Sequence, residues 1–246
     1  MSATLALQVK NISRSFGGLQ ALRDVTFDVY EGEVMGLIGP NGAGKSTLFE
    51  IISGNIPPSG GTVTYFGKDC TRAAPHVRRR SGMCRTFQKV RLFESMSARD
   101  NIRVAASQCV PAGQDVDTEV DSVLAAIRLQ NYAHRRPSEL TLADRKRVEI
   151  GRAIAGRCRL LMLDESLSGL THEEAEHLIT QILALNRTRG ITVIVVEHVL
   201  SVLAKMVKRL VVLHNATVIA DGTPTQVAND PVVIEAYLGK KQKALR

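Results

Sequence analysis

Nine consecutive residues constrain this chain more than any other feature. Gly39-Pro40-Asn41-Gly42-Ala43-Gly44-Lys45-Ser46-Thr47 fits the pattern GxxxxGK[ST]. It stands directly after Val34–Ile38, an apolar run that reads as a buried strand, and directly before a helix expected to begin near Lys45. Its glycines let the backbone curl, so that successive N–H groups and the helix N-terminus face one anionic phosphate. Lys45 supplies a cation for the β- and γ-phosphates of a nucleotide, and the Ser46 hydroxyl is a ligand for Mg2+. Strand, loop and helix in this order predict an α/β fold that binds ATP or GTP.

The other periodicities agree. Apolar alternation around Leu5–Val9 and Val25–Val29 predicts strands, as does the stretch 62–66, closed by Gly67. From about Val90 to Ala155 the pattern is mostly helical, with Pro111 and Gly113 marking a loop. Leu160–Leu163 reads as a buried strand. Thr171 followed by Glu174 has capping-box spacing, and Leu178, Ile179, Ile182, Leu183 and Leu185 recur at helical intervals before Gly190. The β-branched run Ile191–Val196 suits a parallel strand covered on both faces. Strands separated by helical crossovers predict one α/β domain over residues 1–246, with a helical insertion.

Further chemistry lies at the strand ends. Leu160-Leu161-Met162-Leu163-Asp164-Glu165 is an apolar strand closing in two adjacent carboxylates. Asp164 can hold Mg2+ through water, and Glu165 can polarise an attacking water as general base. His198 follows the strand at Val193–Val196, on the edge where open α/β sheets bind ligands, and can donate to a γ-phosphate. Gln88, in Arg85-Thr86-Phe87-Gln88, can reach Mg2+ or the attacking water. Phe16 can stack on a base or fill the core, and its spacing leaves both open.

Composition narrows the setting. No run approaches the roughly 20 apolar residues that span a bilayer, and Met1–Lys10 lacks a secretory apolar stretch. A cytosolic protein is expected. Cys70, Cys84, Cys109 and Cys158 have no metal-site spacing and read as reduced thiols. The net charge of +8 is concentrated in Arg78–Arg80, Arg135–Arg136 and the tail around Lys240–Lys243, which read as solvated faces or frayed ends.

Together these residues resemble the nucleotide-binding domain of ABC transporters along essentially the whole chain. The family's aromatic loop, Walker A, Q-loop, signature, Walker B, D-loop and switch histidine would be Phe16, Gly39–Thr47, Gln88, Leu140–Asp144, Leu160–Glu165, Ser168–Thr171 and His198. The resemblance implies a RecA-like P-loop NTPase core, an antiparallel β portion and a helical subdomain at about 91–155. It also implies ATP and Mg2+ as cofactors and a peripheral place on the cytoplasmic side of the inner membrane. Membrane-spanning permease subunits and a second ABC ATPase subunit are the implied partners. Two such domains pack head to tail, each ATP touching one chain's Walker A and the other's signature, where Thr141 would supply a hydroxyl.

Arg85-Thr86-Phe87-Gln88-Lys89-Val90-Arg91-Leu92-Phe93 is similar to the RTFQNxRLF stretch of ATPases serving branched-chain amino acid importers, and Asp230–Gly239 looks like the same group. Lipopolysaccharide-export ATPases share a similar tail. Three positions depart from the family pattern. Leu140-Thr141-Leu142-Ala143-Asp144 replaces LSGGQ and lacks both glycines, Ser166 replaces the proline after the catalytic Glu, and the D-loop ends in Thr171 rather than Asp. These departures favour a heterodimer in which the partner supplies the better signature, with a homodimer the alternative. A regulatory subunit of low turnover and a non-transport ABC ATPase are competing readings. The latter lacks support from zinc modules or an aromatic-interleaved basic patch, so nucleic acid is not an expected partner.

Overall fold

A computed structural model describes residues 4–110, 113–197 and 203–238 of the chain. Two compact units emerge, one of residues 1–74 and 194–246, the other of residues 75–193.

The first unit opens with two 12-residue strands, β1 (Leu5–Phe16) and β2 (Leu19–Tyr30), paired antiparallel with Val9 opposite Phe27. β4 (Gly60–Tyr65) joins the other edge of β1, Val9 opposite Val63, and the short β5 (Lys68–Asp69) follows. The sheet order is β2-β1-β4-β5. Val25, Phe27 and Val29 alternate with more exposed neighbours and are buried, as expected of an antiparallel sheet with one covered face.

β3 (Val34–Ile38) has its predicted bounds and leads into α1 (Lys45–Ser53), which buries Leu48, Phe49, Ile51 and Ile52. β9 (Arg209–His214) runs parallel to β3, and β10 (Thr217–Gly222) pairs antiparallel with β9. No glycine-bearing turn announces this hairpin in the sequence. Its turn residues, Asn215 and Ala216, take positive φ of 44° and 69° without the glycine that normally announces such a turn. Arg209 straddles Asp221 with Nε and Nη2, both at 2.6 Å, and so ties the two strands side chain to side chain. Helices Pro224–Asn229 and Pro231–Leu238 end the described chain.

The second unit begins with α2 (Pro75–Arg80) and β6 (Met83–Arg85). β6 lies parallel to β7 (Leu160–Asp164), Cys84 opposite Leu161. Between them pack α3 (Ala98–Cys109), α4 (Val116–Ala126) and α5 (Leu142–Ile154). At Gly151 a methyl group would stand 2.8 Å from Ile127 Cδ1, which fits the close helix contact there. α6 (His172–Arg189) carries the expected capping box of Thr171 and Glu174, and Gly190 ends it with φ 65°. β8 (Thr192–Val196), fully buried, spans the division between the units.

One expectation is overturned. Arg78–Arg80 is not a solvated run: Arg78 is only 2% exposed. Arg79 donates to Cys84 Sγ at 2.9 Å and to the carbonyls of Arg152 and Ala155 at 3.3 and 2.8 Å. A guanidinium is thus spent on the C-terminal carbonyls of α5, where a cation is favoured, and only Arg80 is exposed. None of the four cysteines forms a disulfide. Among the described residues no helix is long and apolar enough to cross a membrane.

Candidate functional site

In the first unit β3 delivers the chain into a loop that only glycine can trace. Gly39, Gly42 and Gly44 take φ of 152°, 81° and 106°. A Cβ on Gly39 would lie 2.1 Å from the Leu213 carbonyl oxygen, and one on Gly44 2.6 Å from that of Ala21. Gly44 is also the N-cap of α1 and offers no side-chain oxygen to the helix N–H groups. The first turn of α1 therefore keeps donors for an external anion. Lys45, 6% exposed, folds back along the loop, its Nζ donating to Gly39 O at 2.6 Å and Pro40 O at 3.1 Å. Asn41, Gly42 and Ser46 are exposed, Pro40 and Thr47 partly so, and Ala43 is buried. Phe16, at the end of β1, is 45% exposed, and the Arg14 guanidinium lies 4.6 Å from its ring centroid. It is not a core aromatic. Tyr237, given no site role in the sequence, brings its hydroxyl to the Gly39 N–H, and partial burial pushes its pKa up.

In the second unit β7 ends at Asp164, whose carboxylate meets Arg85 Nη2 at 3.0 Å with both side chains largely buried. The next residue, Glu165, has φ 49°, an uncommon state for a non-glycine residue. Its Oε2 accepts from Gln88 Nε2 at 2.7 Å, so the structure joins the candidate base to the candidate glutamine. Thr86 lies beneath them, its hydroxyl 3.0 Å from Ser166 Oγ and 3.3 Å from the Asp164 N–H. Ser166, where the family has proline, thus has a partner that proline would leave empty.

The altered signature has a clear local geometry. Thr141 is the N-cap of α5, its Oγ1 accepting from the Asp144 N–H at 3.1 Å. Asp144 pairs with Arg147 at 3.0 Å, so its negative charge is met within its own helix. Leu142 is 45% exposed, and Ala143 is buried. His198 lies outside the described residues; the buried Glu197 immediately precedes it.

The donor set suits a nucleotide with Mg2+. Carbonyls of Leu213 and Ala21 crowd Gly39 and Gly44, so only glycine keeps the loop in this curl, while a Cβ at Gly42 would meet nothing within 4 Å; the hydroxyl and carboxylate donors are hard oxygens. Among the described residues no cluster of three or more His, Cys, Asp or Glu could hold a metal. Mg2+ commonly relies on one or two protein oxygens together with substrate phosphates, and so needs no such cluster.

A glycine loop opening a helix in one unit, and an acid pair beside a glutamine in the other, are features of a P-loop ATPase. Residues 22–168 match the ABC transporter family, and the chain belongs to that family, whose ATP-binding subunits hydrolyse ATP to drive transport. More narrowly, residues 217–242 match the branched-chain amino acid ATP-binding cassette transporter segment. The chain is 34% identical to the high-affinity branched-chain amino acid transport ATP-binding protein BraF of Pseudomonas aeruginosa, covering 95% of this chain and 98% of that protein. LivG of Escherichia coli K12, of the same description, is equally similar over the same shares. A solved ATP-binding cassette of an ABC transporter in its ADP conformation superposes with a TM-score of 0.86 at 29% identity, over 96% of this chain and 99% of that one. These matches support the transport reading over the lipopolysaccharide-export and non-transport alternatives.

Proposed function

We propose that this chain powers an importer of branched-chain or related amino acids from the cytoplasmic side of the membrane, bound there to permease subunits. The observation that carries the reading is the match of residues 217–242 to the branched-chain segment, on a chain similar end to end to two such subunits.

In this reading the N–H groups of Gly39–Thr47 and the Lys45 ammonium hold the phosphates of ATP. Phe16 lies against its base. Ser46, Asp164 and Gln88 are the residues that would hold Mg2+, which supplies charge neutralisation on the phosphate oxygens. Glu165 takes a proton from the attacking water, oriented by its bond to Gln88. His198 donates to the γ-phosphate. Thr141 faces the nucleotide of a second ATPase subunit. A leucine at 142 and an alanine at 143 bring side chains where the family has bare backbone, which supports pairing with a different subunit that carries the glycines.

Membrane vesicles holding the assembled transporter should accumulate labelled leucine when ATP is supplied. Isoleucine and valine should compete, and Glu165→Gln should abolish uptake. Failure of all three amino acids to enter or compete would overturn the substrate assignment.

A further inference from the structure

The helix that follows the altered signature carries three charged residues for which the roles above have no use. Lys146, Glu149 and Arg152 of α5 are spaced three apart and line one side of it. Lys146 is 5% exposed, yet ends in an ammonium; packing alone would be served by leucine or methionine. Its Nζ donates to the Ser166 carbonyl at 2.7 Å and reaches the Glu165 carbonyl at 3.5 Å. Glu149 accepts from the Phe87 N–H at 3.2 Å. Arg152 donates to the Arg91 carbonyl and stacks 4.8 Å from the Phe93 ring centroid. The two segments held in this way are those that carry Glu165 and Gln88.

Glu165 needs such holding. A non-glycine residue at φ 49° persists only where its surroundings over-determine it. Here the Ser168 N–H reaches the Glu165 carbonyl at 3.2 Å, and Thr86 meets the Ser166 hydroxyl at 3.0 Å. Lys146 grips both carbonyls of the turn from the opposite element. We propose that Lys146 is a positioning residue for ATP hydrolysis. It fixes the backbone at Glu165 and Ser166 so that the Glu165 carboxylate is aimed at its water, while Glu149 and Arg152 hold the Gln88 loop in the same frame. The proposal rests on Glu165 acting as that base.

The test uses the full chain in its assembled transporter. Lys146→Met keeps the apolar stem and removes the donor. It should lower kcat about 10- to 30-fold and move the KM for ATP by less than about twofold. Lys146→Gln, which keeps a neutral donor, should recover much of that loss. In a Glu165→Gln background, Lys146→Met should change the residual turnover by less than about twofold, because the group it positions is already gone. Equal losses in both backgrounds, a KM that rises as kcat falls, or a Lys146→Met chain that does not fold would make Lys146 structural and overturn the proposal. Normal turnover in Lys146→Met would do the same while leaving Glu165 as base. Normal turnover in Glu165→Gln alone would remove the base assignment, and this proposal with it.

Discussion

Burial lifts the Glu149 carboxyl to about 7, against N–H donors from Phe87 and Arg91 and the nearby charges of Arg152 and Lys146, which pull it down. The folded chain therefore keeps a proton there that the unfolded chain gives up near the ordinary value of 4.5. Stability must fall as pH rises through that window, and the full cost, on the order of 3 kcal/mol, is reached only above about pH 7. Glu149→Gln keeps an acceptor for Phe87 and removes the charge. Urea midpoints should place the variant above the parent at pH 8, with the gap closing toward pH 5. A gap that does not change with pH would contradict the assignment. Tyr237, Thr86 and Lys146 were invisible as site residues in the sequence. Each works through a contact made far along the chain, so a residue's place in a local motif, as with Thr86 and Tyr237, does not show its role.

At the scale of elements, legibility followed whether the deciding interaction was local. The phosphate loop, the β7 acid pair and the 171–174 capping box declare themselves because strand, glycine and cap signals sit within a few residues of one another. The β9–β10 hairpin did not, since Asn215-Ala216 reaches positive φ without glycine. Arg79 misled for the opposite reason: a basic run looks solvated until the carbonyls one of its members caps are known. Two predictions belong here. Gly39→Ala drives a methyl into the Leu213 carbonyl, so the chain should lose several kcal/mol of stability in urea titration as well as ATP binding. Thr171→Ala removes the α6 cap and should cost about 1 kcal/mol of stability, read as a lower urea midpoint. A harmless Gly39→Ala would mean the loop is not held as described.

For the whole molecule, the family is settled by similarity along nearly the full length, while the signature sets this chain apart. Thr141 caps its own helix and Asp144 is neutralised by Arg147, so the segment is well formed even though both glycines are missing. If a different subunit supplies the better signature, the purified Glu165→Gln chain should bind Mg-ATP and keep a monomer's mass. A dimer formed by this chain alone on adding ATP would show that Leu140–Asp144 suffices and would remove the case for a heterodimer. On the proposed function, this chain's own carboxylate drives the transporter. That role is tested most directly by the ATP turnover of the assembled complex with and without Glu165→Gln. A fall of roughly 100-fold with ATP still bound is predicted; unchanged turnover would make the chain a regulatory subunit and contradict the account.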